Sequence, residues 1–204
     1  MIKGVIFDLD GTILNSFVQR VKAWKMSFAD QGIYLDDSDI NPLIGLPGLV
    51  LASKFSSDPE LTEKLEEKYF LDMLKNISIY EDFTPTISTL KSIGIRSIIV
   101  TSSRRELVNK LDLKGLSVVT IDDVSSGKPG TESYLLAAKT LGIPIEYMMA
   151  VGDSINDMIP ARKLGIPAIL VTHGRETNIK LFDHKIGELS EIPELIKKNL
   201  ESPF

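Results

Sequence analysis

The segment Gly4-Val5-Ile6-Phe7-Asp8-Leu9-Asp10-Gly11-Thr12 constrains the fold of this chain more than any other stretch. Val5, Ile6 and Phe7 make a short apolar run of strand-forming residues. The run stops at two carboxylates one residue apart, followed by Gly and Thr. A buried strand therefore delivers Asp8 and Asp10 to the point where the chain leaves the sheet and turns. Two like charges this close disfavour each other's ionisation and require compensation. A divalent cation is the usual source of it, because hard cations take oxygen ligands.

Beyond that strand the hydrophobic pattern changes texture twice. Residues 16–31 read as a helix with Phe17, Val21, Trp24 and Phe28 on one face, Asn15 or Ser16 at its start and Gly32 at its end. Residues 36–57 read as short helices broken at Pro42 and at Gly45-Leu46-Pro47-Gly48. Asp58-Pro59-Glu60 opens a further helix, with Leu61, Leu65, Tyr69 and Met73 spaced for a common face. No strand signal occurs in this block. From about residue 83, helices and strands alternate: helix 85–93, strand 95–100, helix 104–111, strand 117–121, helix 132–141, strand 147–151, helix 155–164, strand 168–171 and helix 193–200. Repeated β-α units predict a Rossmann-like parallel sheet with helices on both faces. The helical block interrupts it after the first strand, so an α/β core of residues 1–14 and 81–204 is expected to carry an inserted α-helical domain over residues 15–80. In open α/β sheets ligands bind beyond the carboxyl ends of the strands. The candidate chemical residues all fall there.

Asp8 can serve as a carboxylate nucleophile, and Asp10 can move a proton. Gly11 lets the backbone pass close to the site, and Thr12 adds a hydroxyl. Thr101, with Ser102 and Ser103, follows the strand Ile98-Ile99-Val100. Hydroxyls and free N–H groups at such a strand end suit a phosphate. Lys128 stands in Ser126-Gly127-Lys128-Pro129 and offers a compact positive charge. Gly152-Asp153-Ser154-Ile155-Asn156-Asp157 follows another strand, and Asp157 lies one helical turn beyond Asp153, on the same side.

These four segments, in this order, resemble the four motifs of the haloacid dehalogenase superfamily, in its phosphoglycolate-phosphatase-like and β-phosphoglucomutase-like subgroup. The resemblance spans residues 8–157. It implies a hydrolase, a phosphatase acting through an aspartyl-phosphate on Asp8, with Asp10 as general acid and then general base. It further implies phosphate binding by Thr101, Ser102 and Lys128. Mg²⁺ would be held by Asp8, Asp153 and the backbone carbonyl of Asp10, with Asp157 and Thr12 behind them. The helical insertion would be a cap. Ile44-Gly45-Leu46-Pro47-Gly48 resembles the cap loop that reaches the active site in such enzymes, which makes Gly45 and Lys54 substrate candidates, with Arg20 and Arg104 weaker ones. Two departures stand out: Lys128-Pro129-Gly130-Thr131, where relatives often have Lys-Pro-x-Pro, and Asn15-Ser16, where many have Asp-Ser.

Other readings remain open on the sequence. A phosphosugar mutase uses the same core, and a phosphonate hydrolase would need a cap lysine such as Lys54. A receiver-type phosphoacceptor module shares the residue types but not the motif order or the helical insertion. A dehalogenase is disfavoured by Asp10, since that chemistry has no leaving alcohol to protonate. Charge arithmetic favours a metal, because Asp8, Asp10, Asp153 and Asp157 face Lys128 alone in this reading. Composition narrows the partners. The 204 residues carry net charge −5, with no basic run suited to nucleic acid and no apolar run long enough for a membrane span. Cysteine is absent and there are two histidines, which excludes disulfides and thiolate or histidine-rich metal sites. The chain enters its first strand directly, so no signal peptide is expected. The expectation is a cytoplasmic enzyme, monomer or homodimer, acting on a small phosphorylated metabolite.

Overall fold

The computed structural model of the chain describes residues 1–201; residues 202–204, the end of the expected core range, lie outside the described residues. Tertiary contacts divide the chain into two compact units, Met1–Ile13 with Ile79–Phe204, and Leu14–Ser78. Each is described by itself.

The first unit holds a six-stranded sheet. Its strands are β1 (Gly4–Phe7), β2 (Arg96–Val100), β3 (Val118–Val119), β4 (Met148–Gly152), β5 (Ala168–Val171) and β6 (His184–Ile186), in the spatial order β3-β2-β1-β4-β5-β6. Every neighbouring pair is parallel. In β1, Ile6 faces Ile98 on one side and Ala150 on the other, and all four residues are buried. Full burial of such a side chain contributes about 1.5–3 kcal/mol, which is why an interior parallel strand is apolar on consecutive positions.

Helices cover both faces. Ile6, Ile98, Ala150 and Leu170 pack with Tyr134 and Ala137 of α7 (Glu132–Leu141) and with Met158 and Ala161 of α8 (Ile155–Leu164). On the opposite face, Phe7 meets Phe83 of α5 (Phe83–Ser92) edge to face, ring centroids 6.4 Å apart, and α9 (Ile192–Glu201) packs against α5. The strand β6 was not foreseen; its sequence, His-Lys-Ile, carries one buried apolar residue and no alternation. The helix expected over 104–111 is a single turn, α6 (Arg105–Val108). Beyond it Asp112 Oδ1 accepts the Lys114 N–H, a local bond that competes with helical pairing. Thr131 stands at the N-cap of α7 without a side-chain capping bond.

The second unit is all-helical: α1 (Phe17–Ala29), α2 (Asp37–Ile40), α3 (Gly48–Ala52) and α4 (Pro59–Met73). Val21, Trp24, Phe28, Ile40, Leu51 and Ala52 form its core. Ser16 occupies the N-cap position of α1 but makes no side-chain capping bond. The start of α4 is capped as its sequence suggests, the Asp58 carboxylate accepting the Leu61 N–H at 3.1 Å. The buried face of α4 differs from the expected Leu61, Leu65, Tyr69, Met73 stripe. It is Thr62, Glu66 and Phe70, and Leu61 is exposed. The reason is polar pairing. Arg20 donates to Glu66 at 3.0 Å and stacks over the Phe70 ring, 3.5 Å from its centroid. Gln31 donates to Thr62 at 2.7 Å and accepts from Ser56 at 2.8 Å. A buried charge is tolerated only when paired, and here the pairing draws a nominally polar face inward.

Among the described residues no helix is long and apolar enough to cross a membrane.

Candidate active site

The carboxyl ends of β1, β2 and β4 deliver Asp8, Thr101 and Asp153 to one edge of the sheet. Asp8 extends the β1–β4 pairing by one bond, its N–H donating to Val151 O at 2.9 Å, and its side chain is buried. Lys128, also buried, reaches it from the loop before α7. Its ammonium donates to Asp8 Oδ1, to Asp157 Oδ1 at 2.7 Å and to Val100 O at 3.3 Å. Asp157 is wholly buried in the first turn of α8. Its Oδ2 accepts from the Ser154 hydroxyl at 2.7 Å and the Ser154 N–H at 3.2 Å, a capping box that fixes the carboxylate as it starts the helix. One carboxylate oxygen each from Asp8, Asp153 and Asp157 lie within 4.8 Å of one another.

The close approach depends on two glycines. A Cβ on Gly11, whose φ is +78°, would stand 2.1 Å from Asp153 Oδ2, and a Cβ on Gly152 would stand 2.3 Å from Asp157 Cγ. Any side chain at either position would push a carboxylate out of the cluster.

Asp10 stands outside the three-carboxylate group. Its Oδ2 accepts from the Ser103 hydroxyl at 2.7 Å, and the Ser103 N–H donates to Thr101 Oγ1 at 2.9 Å. Thr101 and Ser103 are buried, whereas Ser102 is exposed. The hydroxyl that touches a carboxylate of the first motif is therefore the second serine. Thr12 Oγ1 is fully buried with no hydrogen-bond partner, while the Thr12 carbonyl accepts from His173 Nε2 at 2.9 Å. His173 is a loop residue whose ring stacks on Tyr80, centroids 3.5 Å apart. In the helical unit, Gly45 occupies a turn with φ +91° before α3, and Lys54 is exposed just after that helix. Arg20 and Trp24 are absorbed by packing inside that unit.

Sequence reading missed Arg175. Its Nη2 donates to Asp153 Oδ2 and to Gly11 O, both at 2.8 Å. Arg175 lies four residues past the end of β5, the neighbour of β4, and so at the same sheet edge. The available signal was the excess of carboxylates over cations combined with that position. With Asp10 counted alongside the three clustered carboxylates and all four ionised, Lys128 and Arg175 leave this edge two negative charges in excess.

Burial first, and the neighbouring negative charges after it, set the ionisation of the cluster. Burial pushes the Asp8 carboxyl well above the usual range; Lys128 opposes this, and the Asp157 and Asp153 charges add to it. Burial likewise pushes Asp153 up to about 6 despite Arg175. Burial alone would lower the Lys128 ammonium, but the Asp157 and Asp8 charges outweigh it and hold it well above its ordinary value. A carboxylate cluster that resists full ionisation even with two cations attached calls for further positive charge. Three converging hard oxygens are a donor set that a small divalent cation takes.

The profile of the haloacid dehalogenase-like hydrolases matches residues 5–171. The chain is 30% identical over 210 residues to the pyrophosphatase PpaX of Halalkalibacterium halodurans, covering 96% of this chain and 95% of that protein. It is 27% identical over 195 residues to the phosphoglycolate phosphatase of Rhodospirillum rubrum, covering 85% and 81%. The crystal structure of a hydrolase from Pseudomonas syringae superposes with a TM-score of 0.85 at 26% identity, over 96% of this chain and 98% of that one. A match from β1 through β5, with the buried acidic cluster at the carboxyl edge of the sheet, places the chain in the haloacid dehalogenase-like hydrolase family, among hydrolases whose named relatives include phosphatases and pyrophosphatases.

Proposed function

We propose that this hydrolase is a phosphatase that cleaves small phosphate monoesters in two displacements through an aspartyl-phosphate on Asp8, with Mg²⁺ as its cofactor. The observation that carries this reading is the buried Lys128 ammonium bridging Asp8 and Asp157 beside Asp153. It fixes the Asp8 carboxylate at a strand tip, where one oxygen can face an incoming phosphorus in line with the leaving group. Asp8, Asp153 and the Asp10 carbonyl would hold the cation, with Asp157 and Thr12 supporting them. When bound, Mg²⁺ supplies neutralising charge at the phosphoryl oxygens. Lys128 and the Thr101–Ser103 segment contribute the remaining donors to phosphate. Asp10, held by Ser103, donates a proton to the leaving oxygen in the first displacement. It then removes one from the water that attacks the phosphoryl group in the second, releasing phosphate and restoring Asp8.

Asp10→Asn tests the proton-transfer role. The variant should lose about 10²–10⁴-fold in turnover. The loss should be smaller in phosphoryl transfer from p-nitrophenyl phosphate, whose leaving group needs little protonation. Rapid-quench measurement of that step decides it: equal losses for good and poor leaving groups would remove Asp10 from the acid role.

The core motifs contact phosphate and little else, so we assign discrimination among esters to the helical unit, Gly45 and Lys54 first. Gly45→Ala and Lys54→Ala should reorder kcat/KM across a panel of small phosphate esters, phosphoglycolate included, together with the anhydride pyrophosphate. Activity on acetyl phosphate should stay within about threefold, since uniform losses would signal damage to shared transition-state contacts instead. An unchanged ranking would make Ile44–Gly48 a structural turn. The pyrophosphatase relative makes pyrophosphate a second substrate reading, and the same panel separates it from a monoester.

A further inference from the structure

We propose that Arg175 is an internal counter-cation that stabilises the acidic cluster in the metal-free protein and opposes binding of the divalent ion. The inference rests on the proposed reading of the cluster as a cation site. The guanidinium is well anchored. Nη2 donates to both Asp153 Oδ2 and Gly11 O at 2.8 Å, while Nε donates to Thr172 O at 3.3 Å, at the root of its own loop. One nitrogen thus ties the loop after β5 to the first and fourth motifs together. The two site cations differ in what they touch. Lys128 contacts Asp8 and Asp157, and Arg175 contacts Asp153. Arginine cannot release its charge by deprotonation. Asp153 also contributes an oxygen to the converging group. Its carboxylate would therefore be shared between a fixed monovalent cation and a divalent one, which repel each other.

The same charge has two effects of opposite sign. Without the divalent ion, Arg175 offsets the repulsion among buried carboxylates and holds Gly11 against Asp153. With it, Arg175 raises the cost of bringing two more positive charges to the same carboxylate. The Arg175 side chain is 28% exposed, so water and salt screen the repulsion. An effect on the order of ten-fold in affinity remains. Arg175 is therefore a positioning residue that trades metal affinity for a preformed metal-free site.

Isothermal titration of Mg²⁺ into metal-free wild type, R175Q and R175K, with thermal melts in EDTA and in saturating Mg²⁺, tests this. R175Q should bind Mg²⁺ about ten-fold more tightly than wild type. It should melt about 5 °C lower in EDTA, with a smaller deficit in saturating Mg²⁺. A residue that merely supports the fold would weaken both properties. R175K keeps the charge and should hold its Kd within about threefold of wild type. Equal or weaker Mg²⁺ binding by R175Q, with wild type binding normally, overturns the role of Arg175 and leaves the metal reading standing. Absence of Mg²⁺ binding by wild type overturns the metal reading, and this inference with it. If R175Q does not fold in EDTA, R175K decides. A Kd within about threefold supports the charge-based role, and a ten-fold loss shows that geometry governs and overturns it.

Discussion

Asp8→Asn should reduce turnover of every phosphate ester by roughly 10⁵-fold or more, because the amide cannot attack phosphorus and no neighbouring group replaces it. The same substitution should leave the metal-free protein at least as stable as wild type. The Asp8 pKa lies well above its unfolded value, chiefly through burial. The sign is set by that shift. A carboxyl raised on folding contributes stability below its unfolded pKa and loses it as pH rises through the folded one, whereas asparagine never ionises. Near neutral pH in EDTA, Asp8→Asn should therefore melt at or above the wild-type temperature while showing no activity. A variant that is both inactive and several degrees less stable would mean that Asp8 acts mainly as structural partner to Lys128. A variant that retains wild-type rates would end the nucleophile assignment. Activity lost with the fold retained is the pattern of a site whose charges are kept at a cost in stability.

Lys128→Met should have the largest structural effect of any single change in the site. The side chain keeps its length and loses the ammonium that touches Asp8, Asp157 and Val100 O. Breaking a buried pair by removing one partner leaves uncompensated charge and costs about 3–5 kcal/mol. In a domain of this size that corresponds to a fall of about 10 °C in Tm. Calorimetry in EDTA measures it. Activity should be lost together with stability, because phosphate binding and the placement of Asp8 depend on the same nitrogen. A Tm within about 2 °C of wild type would show that the ammonium is not holding the two carboxylates together. The contrast with Asp8→Asn is informative: neutralising an anion of the cluster relieves it, and neutralising its central cation exposes it.

Residues of this site were legible in the sequence to different degrees, for physical reasons. Asp8, Asp10, Lys128, Asp153 and Asp157 stand in short segments where strand, turn and helix signals frame the charge, so pattern and chemistry agree. Parallel strands announced themselves because burial on both faces demands consecutive apolar residues, as in Val5-Ile6-Phe7 and Ile169-Leu170-Val171. The three-residue β6 has no such run. Arg175 was hidden because its contacts with Gly11 and Asp153 are made through folding, across 164 and 22 residues, and nothing local distinguishes it from a surface arginine. The inward face of α4 was misread for a related reason. Glu66 counts as polar in any periodicity, yet its ion pair with Arg20 makes it a core residue. Linear hydrophobicity assigns each residue a preference, whereas pairing across the fold assigns it a place.

The two ends of the helical unit are pinned to each other. Asn15 N–H donates to Ser78 O at 2.9 Å, and one step outward Tyr80 N–H donates to Ile13 O at 2.9 Å. This bears on how the chain acquires its structure. The interior strand β1 is made first, yet its partners β2 and β4 come much later, so during synthesis it waits unpaired and apolar. The helical unit follows it directly and is complete at Ser78, before β2 is made, so its helices pack on one another first. Once that unit has closed on itself, the connection from β1 to β2 behaves as a short loop in place of a long one. Closure entropy grows with the logarithm of loop length, so the shortening is worth about 1 kcal/mol toward the first β pairing. The inserted unit would then act as a folding aid for the sheet that it interrupts, assembled before the core to which it is attached.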